Sequence, residues 1–257
     1  QLNKTGPMTA TTNPNSAGSI LAPHAPGQSR HTLGGRIAYR QGMFDGTAEA
    51  YWQTGHFDMG LGNQNVSINA VAMAYEAGIT LQDVPTTPRI GAEFNYASGD
   101  NSTNCQGNNV SGCQGNANTF ENLYPTNHIV MGYADRMAWR NMVGYSGSLQ
   151  LNPTQQSHLE ARYWLFRKAN HNDCWYTASQ ACQSAVVTSS NSLYKELDVI
   201  YTLFFKNNKV AWQTGASYLW AGKGMDQIVT NNGASNNGGI GAASNSTWAC
   251  TQLQVNF

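Results

Sequence analysis

The chain has 257 residues, and its 14 basic and 14 acidic side chains together make up only 11% of it, less than half the usual share. The balanced charge excludes a global basic field of the kind that recruits nucleic acid or an anionic surface. No run approaches about 18 consecutive apolar residues, because Arg, Glu, Gln or Asn interrupts each one, so a transmembrane helix is excluded and a strand barrel is the other permitted way to span.

Residues 1–30, rich in Thr, Asn, Pro, Gly and Ser, read as an external loop remnant or disordered lead-in to a strand region over 31–257. They open without a basic, apolar and small-residue signal segment, which suits a mature chain or one that begins partway through a precursor. From residue 31 onward, two-residue periodicity alternates with polar punctuation, and no sustained helical period is visible.

In the run 31–40, Leu33, Ile37 and Tyr39 share one face and Arg36 and Arg40 the other. Over 45–54, Ala48, Ala50 and Trp52 oppose Thr47, Glu49, Tyr51 and Gln53. The run 66–77 is less regular, with Val71, Met73 and Tyr75 facing away from Glu76. Next, Ile90, Ala92, Phe94 and Tyr96 oppose Arg89, Glu93 and Asn95. After a long polar stretch, Val143, Tyr145, Leu149 and Leu151 oppose Ser146, Ser148 and Gln150, and then Leu159, Ala161, Tyr163 and Leu165 oppose His158, Glu160 and Arg162. The seventh run sets Leu197, Val199, Tyr201, Leu203 and Phe205 against Glu196, Asp198 and Thr202. The eighth sets Trp212, Ala216, Tyr218 and Trp220 against Gln213 and Ser217, and the last sets Leu253, Val255 and Phe257 against Gln252, Gln254 and Asn256.

A soluble β-sandwich also alternates, but it calls for comparably short connections. Here 41–44, 152–156 and 206–209 are tight and 80–87 is moderate, whereas 55–65, 98–141, 169–192 and 222–245 are longer. One end of the sheet therefore carries turns and the other carries loops, the pattern of an all-β, transmembrane antiparallel β-barrel of the outer membrane. With Phe257 at the periplasmic rim, about nine strands place the start of the run outside, so an odd number of further strands is expected before it.

Cys105 with Cys113, and Cys174 with Cys182, are spaced for small disulfide loops in an oxidising compartment. Metal ligation is the alternative for close cysteines, but CxxC pairs and supporting histidines are lacking. Cys250 is left as a free thiol on an inward position. No metal or other cofactor is expected, and no Ser, His and carboxylate arrangement marks an enzyme.

The conducting path of a barrel is its interior, so Arg36, Arg40, Arg89 and Arg162, set against Glu49, Glu76, Glu93, Glu160, Glu196 and Asp198, are the candidate pore-lining residues. Mixed signs admit two readings. Either the charges pair across neighbouring strands and make a wet, satisfied lumen, or the arginines form an anion-selective constriction. Within 120–141, Tyr124, Trp139, Asp135, Arg136 and Arg140 are candidates for a gating loop folded into or over the pore, the alternative being a loop packed on the rim.

Three segments carry a family resemblance: HTLGGRIAYRQGMFDGTAEAYWQTGHF at 31–57, PRIGAEFNYASGD at 88–100 and FENLYPTNHIVMGYADRMAWRN at 120–141. They resemble the alginate export type of outer-membrane porin. The ending TQLQVNF is similar to the aromatic-terminated last strand that the barrel-assembly machinery of Gram-negative bacteria engages, here through Phe257. The resemblance implies a barrel of about eighteen strands in outer-membrane lipid, of which this chain would supply the C-terminal half. It also implies an arginine-rich lumen in members that export a polyuronate. The leading function is passage of a hydrophilic solute, with an anionic polysaccharide such as alginate among the candidates. The second is a structural or binding barrel that anchors or sheathes a surface protein partner through its long loops.

Overall fold

Strict alternation of large apolar with polar side chains favours an extended chain, whose successive side chains point to opposite faces. The computed structural model describes residues 28–58, 65–101, 116–123, 131–183, 190–205, 209–235 and 244–255. Nine long strands follow in chain order: β1 (Gln28–Gln41), β2 (Phe44–Asp58), β3 (Asn65–Thr80), β4 (Arg89–Ala97), β5 (Met142–Thr154), β6 (Ser157–Arg167), β9 (Ser192–Phe205), β10 (Val210–Ala221) and β11 (Ser246–Val255). A two-residue-per-strand hairpin, β7 (Trp175–Tyr176) and β8 (Cys182–Gln183), and one helix, α1 (Lys223–Ser235), lie among them.

The long strands form one antiparallel sheet in the order β1-β2-β3-β4-β5-β6-β9-β10-β11, so each pairs with its neighbour in sequence. Gly42 at φ 58 lets the β1–β2 connection reverse within two residues. The tight connections all fall at one end of the sheet. The long ones, 98–141, 168–191 and 222–245, fall at the other.

Register converts the alternation into two distinct faces. Leu33, Ile37, Trp52, Val71, Tyr75, Ile90, Tyr145, Leu149, Tyr163, Val199, Trp212 and Leu253 are all exposed on one face. Aromatic rings cluster there in rows, with Phe94 5.2 Å from Tyr145 and 6.3 Å from Tyr75, and Trp220 4.7 Å from Tyr218 and 6.1 Å from Tyr163. Among the described residues, no helix is long and apolar enough to cross a membrane.

The packed core lies on the opposite face, toward the long-loop end. Ala70, Ala72, Trp164, Phe166, Leu193, Tyr194 and Leu219 from the strands meet Phe120, Met131 and Met137 from 98–141 and Ile228 from α1. Two expectations need correction here. Residues 223–235 are helical although no helical period is visible, because Ile228 and Met225 anchor an otherwise weak helix of Gly, Asn and Thr against this cluster. The inward face is also not uniformly polar, since Trp164 and Phe166 point inward under the docked loop.

The segment 1–27, most of the expected lead-in, lies outside the described residues, as do Cys105, Cys113, Tyr124 and Phe257.

Candidate functional site

The register places all ten charged residues expected to line the interior on the polar face of the sheet. The register makes this explicit: Arg36 stands opposite Glu49, Glu76 opposite Glu93, and Arg162 opposite Asp198. Arg162 on β6 is the hub. Its Nε donates to Glu160 Oε1 at 2.8 Å, its Nη1 pairs with Glu93 of β4, and its Nη2 stands 3.7 Å from Glu76 Oε1 of β3. Arg89 continues the network, with Nη1 3.2 Å from Glu76 Oε1 and Nε donating to Asp45 Oδ2 at 3.0 Å. Such forks need each guanidinium held between strands, which the pleat supplies by placing alternate residues of adjacent strands side by side.

Asp45 was not among the expected wall residues, although its parity matches that of Glu49. Arg30 was missed as well. It donates to Gln53 Oε1 at 2.7 Å and pairs with Glu121 of the long loop at 3.2 Å. Arg36 and Arg40, by contrast, are exposed, and their side chains hold no hydrogen bond or ion pair among the described residues. Glu49 accepts from the Tyr51 hydroxyl at 3.1 Å.

Glu196 and Asp198 lie on β9 beneath the loop and are buried. The Ala134 amide donates to Glu196 Oε1 at 2.8 Å, and the Ser217 hydroxyl donates to Asp198. Gly132 makes this approach possible. Its φ is +85, and a Cβ there would lie 2.6 Å from a Glu196 carboxylate oxygen.

The described residues of 116–141 therefore contact side chains of the charged face. Trp139 packs edge-on against Tyr51 and Phe120, each at 5.6 Å, and Met131 is buried. A cleft of about 140 Å³ remains between Met131 and Trp139 on one side and Arg36, Glu49, Glu93 and Asn95 on the other. The remaining gating candidates separate. Asp135 and Arg136 are exposed, while the Arg140 guanidinium stacks 4.1 Å over the Tyr176 ring.

Behind the loop, 98–141 and 168–191 are tied together. Thr119 Oγ1 lies 3.0 Å from Asp100 and 2.6 Å from Asp173, and Asn141 Nδ2 donates to the Cys174 carbonyl at 2.8 Å. Burial pushes the Asp100 carboxyl above the usual range. Lys168 Nζ donates to the carbonyls of His171 at 2.7 Å and Asp173 at 3.1 Å, and burial lowers its pKa to about 8. A disulfide joins Cys174, just before β7, to Cys182 in β8, while Cys250 is a free thiol opposite Gly215 on the polar face.

A family model described as alginate export matches residues 9–237 of the chain. No curated protein matches it.

Proposed function

Because this chain belongs to the alginate export family, we propose that it forms the wall of an outer-membrane channel for a hydrophilic solute. The observation that carries the reading is the two-sided sheet. Large apolar side chains stay exposed along one face of all nine long strands, and the described carboxylates and all but one of the arginines of those strands lie on the other. Exposed apolar surface on that scale is unfavourable in water and favourable against lipid tails. The polar face then borders the aqueous path. The family description is one of export.

The described wall supports a neutral or cationic solute better than a polyuronate. A lumen that attracts carboxylates needs arginines free to meet them. Arg89 and Arg162 are already engaged by Asp45, Glu76, Glu93 and Glu160, which leaves Arg36 and Arg40.

One observation favours the second reading, a barrel that anchors or sheathes a surface partner. The seated loop occupies part of the path, and a wall filled by its own loop would conduct little. Planar-bilayer recording of the full-length protein separates the two. Steady single-channel conductance with a cation-selective reversal potential in a KCl gradient is expected, and a silent bilayer with demonstrable insertion would favour the sheath.

A further inference from the structure

Charge is distributed unequally between the two faces of the sheet. Among the described side chains of the nine long strands, every carboxylate lies on the polar face, and the apolar face carries two charges, Arg167 and Lys195. Both are cationic, both are exposed, and neither side chain has a hydrogen bond or ion pair among the described residues. They also lie close together. Lys195 stands opposite Leu165 on β6, and Arg167 is the next residue of that strand on the same face and its last.

The pair sits at the long-loop end, against aromatic rings. Lys195 is directly opposite Trp220 on β10, whose ring contacts Tyr163 and Tyr218. Lys168, the residue after Arg167, turns the other way and buries its ammonium under the loops. The outward aim of Arg167 is therefore set by strand parity.

Two like charges at diagonal positions of neighbouring strands, with no acid on their face, repel each other unless an anion lies between them. A guanidinium and an ammonium above an aromatic belt match a phosphate at the level of a lipid headgroup, with the acyl chains running down the apolar face. We propose that Arg167 and Lys195, flanked by Trp220 and Tyr163, form a binding site for the phosphate of an anionic lipid in the leaflet at the long-loop end. The site rests on the membrane placement proposed above.

The test is native mass spectrometry of the full-length protein released from bilayers of equimolar phosphatidylglycerol and phosphatidylcholine. The wild type is expected to retain phosphatidylglycerol over phosphatidylcholine by roughly tenfold. The double variant R167Q/K195Q is expected to insert equally well and to retain the two lipids nearly equally. Insertion of the wild type without lipid preference, or an undiminished preference in the double variant, overturns the site alone. Failure to insert into vesicles of either lipid overturns the membrane placement and the site with it.

Discussion

Arg162 meets three carboxylates because its neighbours on β3, β4 and β6 all present acids to the same side. A guanidinium with five donors can serve them together, which a lysine in its place could not do with the same geometry. Removing Arg162 would leave buried carboxylates on β4 and β6 without their shared cation, so the cluster ties neighbouring strands to one another. Lys168 gives the residue scale its clearest pH signature. Its folded pKa of about 8 is lowered from 10.5, so between those values the unfolded chain binds more protons than the folded one. Stability of the cap formed by 98–141 and 168–191 should therefore rise as pH increases from about 8 to 10.5. Hydrogen exchange of the amides at 168–174 should slow relative to intrinsic rates over that range. Lys168→Met should remove the slope, and an unchanged slope would assign the effect to another group.

At the scale of elements, the long strands were legible because each has one face of large apolar residues, which fixes both its existence and its register. The helix α1 was not legible. Its sequence, KGMDQIVTNNGAS, has little intrinsic preference for helix, and it is held by contacts with β9 that no local pattern encodes. The inward Trp164, Phe166, Tyr194 and Leu219 were missed for a related reason. Alternation marks one apolar face, and where both parities are apolar, as in Tyr163-Trp164-Leu165-Phe166, the second apolar set needs a cover of its own, which the loop supplies over Trp164 and Phe166. That local break in period was the available signal for a loop docked on the polar face. Its seat depends on Gly132. Gly132→Ala would force a methyl against the Glu196 carboxylate at a positive φ, at a cost of about 1–2 kcal/mol. Trypsin should then cut faster after Arg136 and Arg140 than in the wild type, while the β-sheet circular dichroism stays the same. Equal cutting rates would mean that the Glu196 contact does not hold the loop.

For the whole molecule, the two faces predict opposite tolerances. Val199 sits mid-strand on the apolar face, opposite Ala161 and Ala216. Val199→Arg should destabilise vesicle-embedded protein by about 2–4 kcal/mol in urea titrations. Thr47→Arg, on the polar face opposite Glu76, should cost less than about 1 kcal/mol. Equal costs at the two positions would remove the distinction on which the membrane placement rests.

The sequential strand order carries a consequence for how such a wall can change over generations. Among the described residues, each long strand pairs only with the long strands before and after it in the chain. Duplicating or deleting one hairpin would then alter the circumference by two strand spacings, about 10 Å, and leave the remaining registers as they were. Width is thus a heritable quantity that can be adjusted in fixed steps, separately from the residues on the polar face.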